Sequence, residues 1–456
     1  MQGVGHSWRE VPEIGAGRLE RPLPRLPRKL WLQSSYPKEN ALTFGSVVSI
    51  PKDPRDMSDA VTNSQAGRAG HFSPMSSGDG AYSRFSPKPL PPDPPLVIDA
   101  GMQRLLDRAN QALGRLDGIT LLLPDADQFL YSYIRKEAVL SSQIEGTQSS
   151  LSDLLLFEHD VAPGVPEEDV RETTNYLAAL NLGLRTMEEG LPLSLRLLKQ
   201  VHGELLRGTR GGETGPGEFR RIQNWLGGPE PAAARYVPPP PNEVPAAMGD
   251  LEKFLHGEPV ALPVLIRAAL AHAQFETIHP FLDGNGRLGR LLVTLMLCSE
   301  TADGEARVLS RPLLYLSLHL KSHRDTYYER LQAIRTDGDW EGWLRFFLEG
   351  VISVANLASE TTKRIVELIE RDRKRISALG RAAGSALLVF DHAVREVVLR
   401  IPETAEQLPV SEPTVATAIG QLQRIGILRE LTGRPRNKAF AYDEYLKILS
   451  EGTEPL

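Results

Sequence analysis

From Leu96 to Arg371 the chain places apolar residues three and four apart, segment after segment. That spacing puts them on one face of an α-helix, whereas a half-buried strand alternates every two residues. Helices are predicted over 96–116, 124–145, 168–189, 193–206, 245–256, 263–277, 287–300, 324–335 and 340–371. In the third of these Val170, Tyr176, Leu177, Leu180 and Leu184 line one face, with Arg171, Glu172 and Arg185 elsewhere. One break toward strand occurs where Gly227, Gly228 and a run of prolines surround Tyr236 and Val237, which suggests an irregular hairpin.

Residues 1–84 are rich in Pro, Arg, Ser and Gly without a sustained period, and are expected to be disordered. Met57 and Met75 are alternative starts, so part of this stretch need not belong to the native product. A polyproline-like strap follows at 87–95, and a second at 238–241. At the other end, a helix over 385–401 and a short one over 404–408 precede a third. Ser411 is its expected N-cap, Pro413 lies in its first turn, and Val415, Ile419 and Leu422 form its apolar face. Strand, basic turn and strand follow over 427–431, 432–438 and 439–442, the order of a winged helix-turn-helix.

At 456 residues the chain has room for about three domains of ~150 residues. Charges of 52 and 58 leave a net of −6, which does not advertise nucleic acid or anionic membrane as the main partner. The lone Cys298 excludes an intramolecular disulfide framework and a cysteine-cluster metal site. The apolar run 291–298 is far shorter than the roughly 20 residues a membrane span requires. No secretory signal pattern opens the chain. A cytoplasmic protein is expected, with no membrane partner.

The chemistry concentrates in 277–290. A helix is expected to stop near Thr277 and another to start at Arg287, after Gly284-Asn285-Gly286. Main-chain N–H groups of such a loop at a helix N-terminus form a nest for anionic oxygens. Arg287 and Arg290, three apart, reach the same side of that nest. Asp283 is a hard carboxylate beside it, suited to Mg²⁺ bridging phosphate and protein. His279 is the group whose pKa lets it accept a proton at neutral pH. Asp-Gly-Asn-Gly alone is usually a turn; the histidine, aspartate and arginines at fixed offsets give phosphoryl or nucleotidyl transfer its parts. His272 and Glu276 lie one turn apart on the preceding helix, a common structural pairing that lacks a zinc-binding pattern.

His279-Pro280-Phe281-x-Asp283-Gly284-Asn285-Gly286-Arg287-x-x-Arg290 resembles, without departure, the signature of the Fic family (filamentation induced by cyclic AMP). Segments 219–225 and 235–238 resemble the stretch leading into that family's β-hairpin flap. The resemblance implies a mainly α fold: a Fic-type helical core with a small β-hairpin flap, here followed by the winged helix-turn-helix. It divides the chain into a disordered 1–84, a helical extension 85–190, the Fic core 191–350, a connecting helix 351–380 and the wing domain 381–456.

By the same resemblance the activity is protein adenylylation, transfer of AMP from ATP to a Ser, Thr or Tyr hydroxyl of a target protein, the chain itself included. His279 would be the catalytic base and Asp283 the Mg²⁺ ligand. Gly284, Asn285, Gly286, Arg287, Leu288, Gly289 and Arg290 would bind ATP, with Tyr327 and Tyr328 near the adenine. Arg235, Tyr236 and Val237 would dock the target along an exposed backbone edge. Ser141-Ser142-Gln143-Ile144-Glu145-Gly146 resembles the family's inhibitory motif, with Glu145 and Ser141 acting against Arg290. Read alone, Glu145 is a surface glutamate before a capping glycine. De-AMPylation and phosphotransfer on the same scaffold stay open, as does a DNA-binding regulator with a nucleotide-sensing core. Arg429, Arg434, Arg436 and Lys438 in and around the wing would then meet phosphates. A homo-oligomer is a further open partner.

Overall fold

The computed structural model describes residues 67–76, 80–119, 131–159, 164–209, 212–259, 262–299, 307–434 and 436–455 in full, and the backbone alone at 77, 120, 126–130, 210 and 211. Two antiparallel strands, β1 (Gly70–Ser77) and β2 (Gly80–Pro87), come first. The helices that follow are α1 (Ala100–Thr120), α2 (Ala126–Ile144), α3 (Leu151–Glu158), α4 (Glu167–Glu188), α5 (Leu195–Leu205), α6 (Val244–Leu255), α7 (Val264–Ile278) and α8 (Asn285–Cys298). Next come α9 (Ser317–Ser322), α10 (Arg324–Asp337) and the long α11 (Trp340–Ser377). The C-terminal part is α12 (Ala383–Glu396), β3 (Val398–Arg400), α13 (Ile401–Gln407), α14 (Glu412–Arg424), β4 (Leu428–Glu430), β5 (Ala439–Tyr442) and α15 (Asp443–Ser450).

The core centres on α7 and α8. Every residue of α7 from Leu265 to Ile278 is buried, and α8 is buried all round apart from Gly286. Helices without a polar face belong in the middle of a protein, and these two pack on each other while α4, α5, α6, α10 and α11 surround them. Trp343 of α11 donates its indole N–H to the Ala269 carbonyl at 2.8 Å, pinning the long helix to α7. The loop expected to carry chemistry thus joins the two most deeply buried helices. Rigid elements hold it at both ends.

Most predicted helices match within a few residues, and the differences have local causes. The helix expected over 385–401 stops at Glu396, because Val398–Arg400 pairs with Ala439–Ala441 of β5. Ile401 then opens the helix expected from Thr404. The sheet order is β3-β5-β4, antiparallel throughout. Ser411 precedes α14, but its hydroxyl pairs with Thr414 Oγ1 at 3.0 Å and does not cap the helix. The boundary expected at 350/351 falls inside the unbroken α11.

A larger correction concerns 1–84. Residues 1–66 lie outside the described residues, but 67–77 and 80–84 belong to the β1–β2 hairpin and its approach. This hairpin is ordered by what it rests on, since its own residues form no independent core. Phe85 is fully buried against Phe72 and Tyr236. Arg68 grips both Glu341 carboxylate oxygens, at 2.8 and 3.0 Å. Among the described residues no helix is long and apolar enough to cross a membrane.

Candidate active site

Helix α7 ends where the sequence requires it. A residue before proline is disfavoured in the α region, and His279, before Pro280, takes a left-handed conformation with φ 49°. Such a conformation is costly for a non-glycine residue, and the surroundings hold it. Arg220 donates from Nε to the His279 carbonyl at 2.9 Å and from its main-chain N–H to Pro280 O at 2.9 Å. Asn285 clasps Phe281 from both sides, accepting from its N–H at 2.9 Å and donating to its carbonyl at 2.8 Å. Gly284, at φ 73°, makes the left-handed turn into α8 that a side chain would oppose.

The first turn of α8 has no side-chain cap, so its N–H groups are available to an anion. A carboxylate stands there already. A Cβ on Gly286 would lie 2.1 Å from Glu145 Oε1, so glycine is what admits this glutamate to the nest. Arg290 Nη2 donates to Glu145 Oε1 at 2.7 Å and to the Ser141 carbonyl at 2.9 Å, while Nε donates to Ser141 Oγ at 2.9 Å. Burial acts to raise the Glu145 pKa, but Arg290 and then Arg287 outweigh it and hold the carboxyl below its ordinary range. Arg287 donates to Glu172 Oε2 at 3.0 Å and approaches Asp283 Oδ1 at 3.7 Å. Both arginines thus rest on carboxylates.

His279 lies beside this anion nest. Burial, then the charges of Arg220 and Arg335, push its imidazole down to about 4, so it is neutral and able to take a proton. Asp283 is 45% exposed, with Oδ1 accepting from the Gly284 N–H at 2.6 Å. One solvent-facing carboxylate beside an anion nest suits Mg²⁺, which keeps waters and shares phosphate oxygens. Among the described residues no cluster of three acidic, histidine or cysteine groups could hold a metal alone.

Several expected ligands face elsewhere. Leu288 is wholly in the core, and Gly289 turns toward Glu276 and Phe275. The Asn285 side chain staples the loop and leaves only its backbone for an anion. Tyr327 is 1% exposed, its hydroxyl bonded to His272 Nε2 at 2.9 Å; Tyr328 alone of the pair is open, at 41%. His272 is a core residue that also bonds Gly289 O at 2.8 Å, which ends any reading of it as a zinc ligand. Cys298 is buried, its thiol pushed up to about 12 by burial, so it is inert.

The flap is present but its edge is not free. Leu226 and Tyr236 form an antiparallel bridge around a single turn at Pro231–Ala233. Tyr236 and Val237 are buried, the Val237 carbonyl already accepts from Phe85 N of β2 at 2.9 Å, and Pro238 to Pro241 have no N–H to offer. Of the three residues expected to dock a target, Arg235 alone is exposed. Exposed Ile222 and Trp225 lie on the segment leading to Leu226, whose carbonyl accepts from the Arg235 N–H at 2.9 Å.

Sequence reasoning missed Glu172, His202 and Arg220. His202 bonds Asp283 O at 3.0 Å and stacks on Phe281 with ring centroids 3.7 Å apart. Its pKa is pushed down to about 4, chiefly by burial. Arg220 lies in the 219–225 segment that resembles the family's approach to the flap, whereas no local pattern marks Glu172 or His202; all three meet the motif only in the fold.

Residues 103–185 match the Fic/DOC family N-terminal domain and residues 192–297 match the Fic/DOC family domain. A protein adenylyltransferase Fic from Aedes aegypti is 27% identical over 307 residues, spanning 62% of this chain and 56% of the relative. One from Culex quinquefasciatus is 33% identical over 161 residues, spanning 34% of this chain and 27% of the relative. The chain thus covers about half or less of the length of these curated relatives. The crystal structure of a Fic family protein from Desulfovibrio desulfuricans G20 shares the fold, with a TM-score of 0.50 at 20% identity over 76% of this chain and 97% of that one. The chain thus carries a Fic/DOC N-terminal domain and a Fic/DOC domain in succession, with the full motif on the loop between α7 and α8.

Proposed function

We propose that this chain is a protein adenylyltransferase that uses ATP with Mg²⁺ and is held at rest by Glu145. The curated relatives carry that activity in their names. The observation that carries the reading is the seat of Glu145: its carboxylate stands on Gly286, at the uncapped N-terminus of α8, and holds Arg290. A site that accommodates a carboxylate between N–H donors and guanidinium groups is chemically a phosphate site with a substitute in it.

In the proposed reaction His279 Nε2 takes the proton of the acceptor hydroxyl. The hydroxyl oxygen bonds to the α-phosphorus of ATP, the α–β anhydride bond breaks, and pyrophosphate carries away the electron pair. Nest N–H groups and Arg287 oppose the charge that develops on the phosphate oxygens. Asp283 would hold Mg²⁺, which supplies charge neutralisation when bound. Tyr328 offers an open ring to the adenine. The acceptor polypeptide meets the outer side of the flap at Arg235, beside Ile222 and Trp225. While Glu145 holds Arg290, that arginine is not available to the terminal phosphate, and competent binding is limited to the fraction of molecules in which the pair is open.

The C-terminal helices and three-stranded sheet follow the order of a winged helix, and we read them as a partner-binding module. Arg429 is engaged by Asp443 at 2.5 Å, which leaves Arg434, Arg436 and Lys438 for an anionic partner.

Intact-mass analysis of the full chain incubated with ATP and Mg²⁺ tests the proposal. Addition of an AMP moiety to wild type or to Glu145→Gly is expected. Addition of phosphate, or no adduct in either, contradicts it.

A further inference from the structure

Glu276 lies one turn before His279 on α7, and nothing described above uses it. Each of the two residues carries a buried polar atom without a hydrogen-bond partner, His279 Nδ1 and Glu276 Oε1. The second carboxylate oxygen, Oε2, stands 3.8 Å from that Nδ1. Buried polar groups are nearly always satisfied, so two neighbouring exceptions require an explanation. Here one is an imidazole nitrogen and the other belongs to a carboxylate, which can complete each other.

The site is built to keep this carboxylate in place. A Cβ on Gly289 would come within 2.6 Å of Glu276 Oε1, so the glycine between the two motif arginines opens the space the carboxylate occupies. Arg335 Nη2 donates to the Glu276 carbonyl at 3.4 Å. Burial pushes the Glu276 carboxyl up to about 7 against the pull of Arg290, with Glu145 adding to the rise.

We propose that Glu276 is the positioning residue of His279. Its carboxylate accepts the Nδ1–H, fixes the tautomer in which Nε2 is the free base, and supports the imidazolium that forms when Nε2 takes the acceptor's proton. Closing 3.8 Å to hydrogen-bond distance needs a movement of under about 1 Å, and catalytic hydrogen bonds commonly tighten once substrate is bound. The main-chain carbonyl of Glu276 faces the same imidazole, so the side chain and the backbone are rival orienters. The proposal rests on His279 being the base.

Histidine-selective ¹⁵N NMR on the full chain separates the two orienters, with buried His272 as an internal control for folding. In wild type His279 is expected as the Nδ1–H tautomer with a downfield proton. That resonance should move upfield in Glu276→Gln, and the ring should shift toward the Nε2–H tautomer in Glu276→Ala. In parallel, Glu276→Gln should lower kcat for transfer by about tenfold or more with KM for ATP unchanged, within the usual span for general-base support. In a His279→Ala background the same substitution should lower it no further. Unchanged His279 resonances and kcat in Glu276→Gln, with transfer lost in His279→Ala, overturn the pairing and leave the carbonyl as orienter. Full transfer in His279→Ala overturns the base assignment itself.

Discussion

Arg290 and Ser141 are joined twice, from Nε to the hydroxyl and from Nη2 to the main-chain carbonyl, each at 2.9 Å. Glu145 therefore does not hold the arginine alone; the last turn of α2 does, with hydroxyl, carbonyl and carboxylate arrayed around one guanidinium. A Ser141→Ala substitution should raise basal transfer by about tenfold or more, since one hydrogen bond to a charged group is worth about 1.5 kcal/mol or more. Autoadenylylation rates at saturating ATP would check it. A lowered rate would mean that Ser141 supports the competent arginine instead.

The pH dependence of transfer should report Glu276 before His279. The Glu276 carboxyl, pushed up to about 7 chiefly by burial, is faced by His279, Arg290, Glu145, Arg335, Tyr236, Tyr327 and Tyr328. His279, pushed down to about 4, is faced by Arg220, Arg335 and Glu145. As pH falls through 7 the Glu276 carboxylate takes a proton and no longer supports the imidazolium, so wild-type kcat should fall there. In Glu276→Gln that limb should vanish, leaving a lower rate that stays flat toward pH 5. A limb near 7 that persists in the variant belongs to another group. Stability sets the lower end of such a titration. His202, His272 and His279 are all held near 4, below the ordinary 6.5. The stability they contribute is present above 6.5 and lost as pH falls toward 4.

The β1–β2 hairpin should be a stabilising part of the catalytic unit. Phe85→Ala removes a fully buried ring packed on Phe72 and Tyr236 and should cost about 3 kcal/mol. Urea unfolding, with hydrogen exchange at Phe85 and in the flap, measures it. A loss under about 1 kcal/mol with unchanged exchange would mean that the hairpin is only resting on the surface.

Residues 452–454 reach the segment that carries Ser141 and Glu145. Gln143 donates from Nε2 to the Thr453 carbonyl at 2.8 Å, and Lys321 Nζ bridges Gln143 Oε1 at 2.7 Å to the carbonyls of Gly452 and Glu454. Deleting residues 452–456 removes these acceptors two residues from Glu145. Basal transfer should rise about three- to tenfold, as a total loosening of the Glu145–Arg290 pair by roughly 1 kcal/mol implies. Equal rates in truncated and full chains would uncouple residues 452–456 from the active site.

Helical periodicity made the core legible because α7 and α8 carry their burial in their own residues, and the motif stood out because its spacing is local. What the sequence withheld depends on distant partners. Glu172 looks like any charge on the amphipathic α4, and only the fold brings it to Arg287. Phe85 lies among Ser, Pro and Gly with no alternation, and its strand exists because Tyr236 and Val237 receive it. The flap edge looked open since nothing in 227–241 names the chain that covers it. Tyr327 read as a base-stacking ring, yet its hydroxyl completes a bond to His272. Val398–Arg400 passed for the end of a helix until β5 was available to pair with it.

The central claim is that Glu145 keeps Arg290 from the nucleotide, and Glu145→Gly tests it most directly. The carboxylate is 37% exposed, so solvent screens the pair and its contribution is about 1–2 kcal/mol. Autoadenylylation should rise roughly 5–30-fold in Glu145→Gly and return to or below the wild-type rate when Arg290→Ala is added. Glycine at a helix end costs some stability on its own, which would lower the rate if it acted at all. An unchanged or lower rate in Glu145→Gly, with ATP binding intact, would contradict the account.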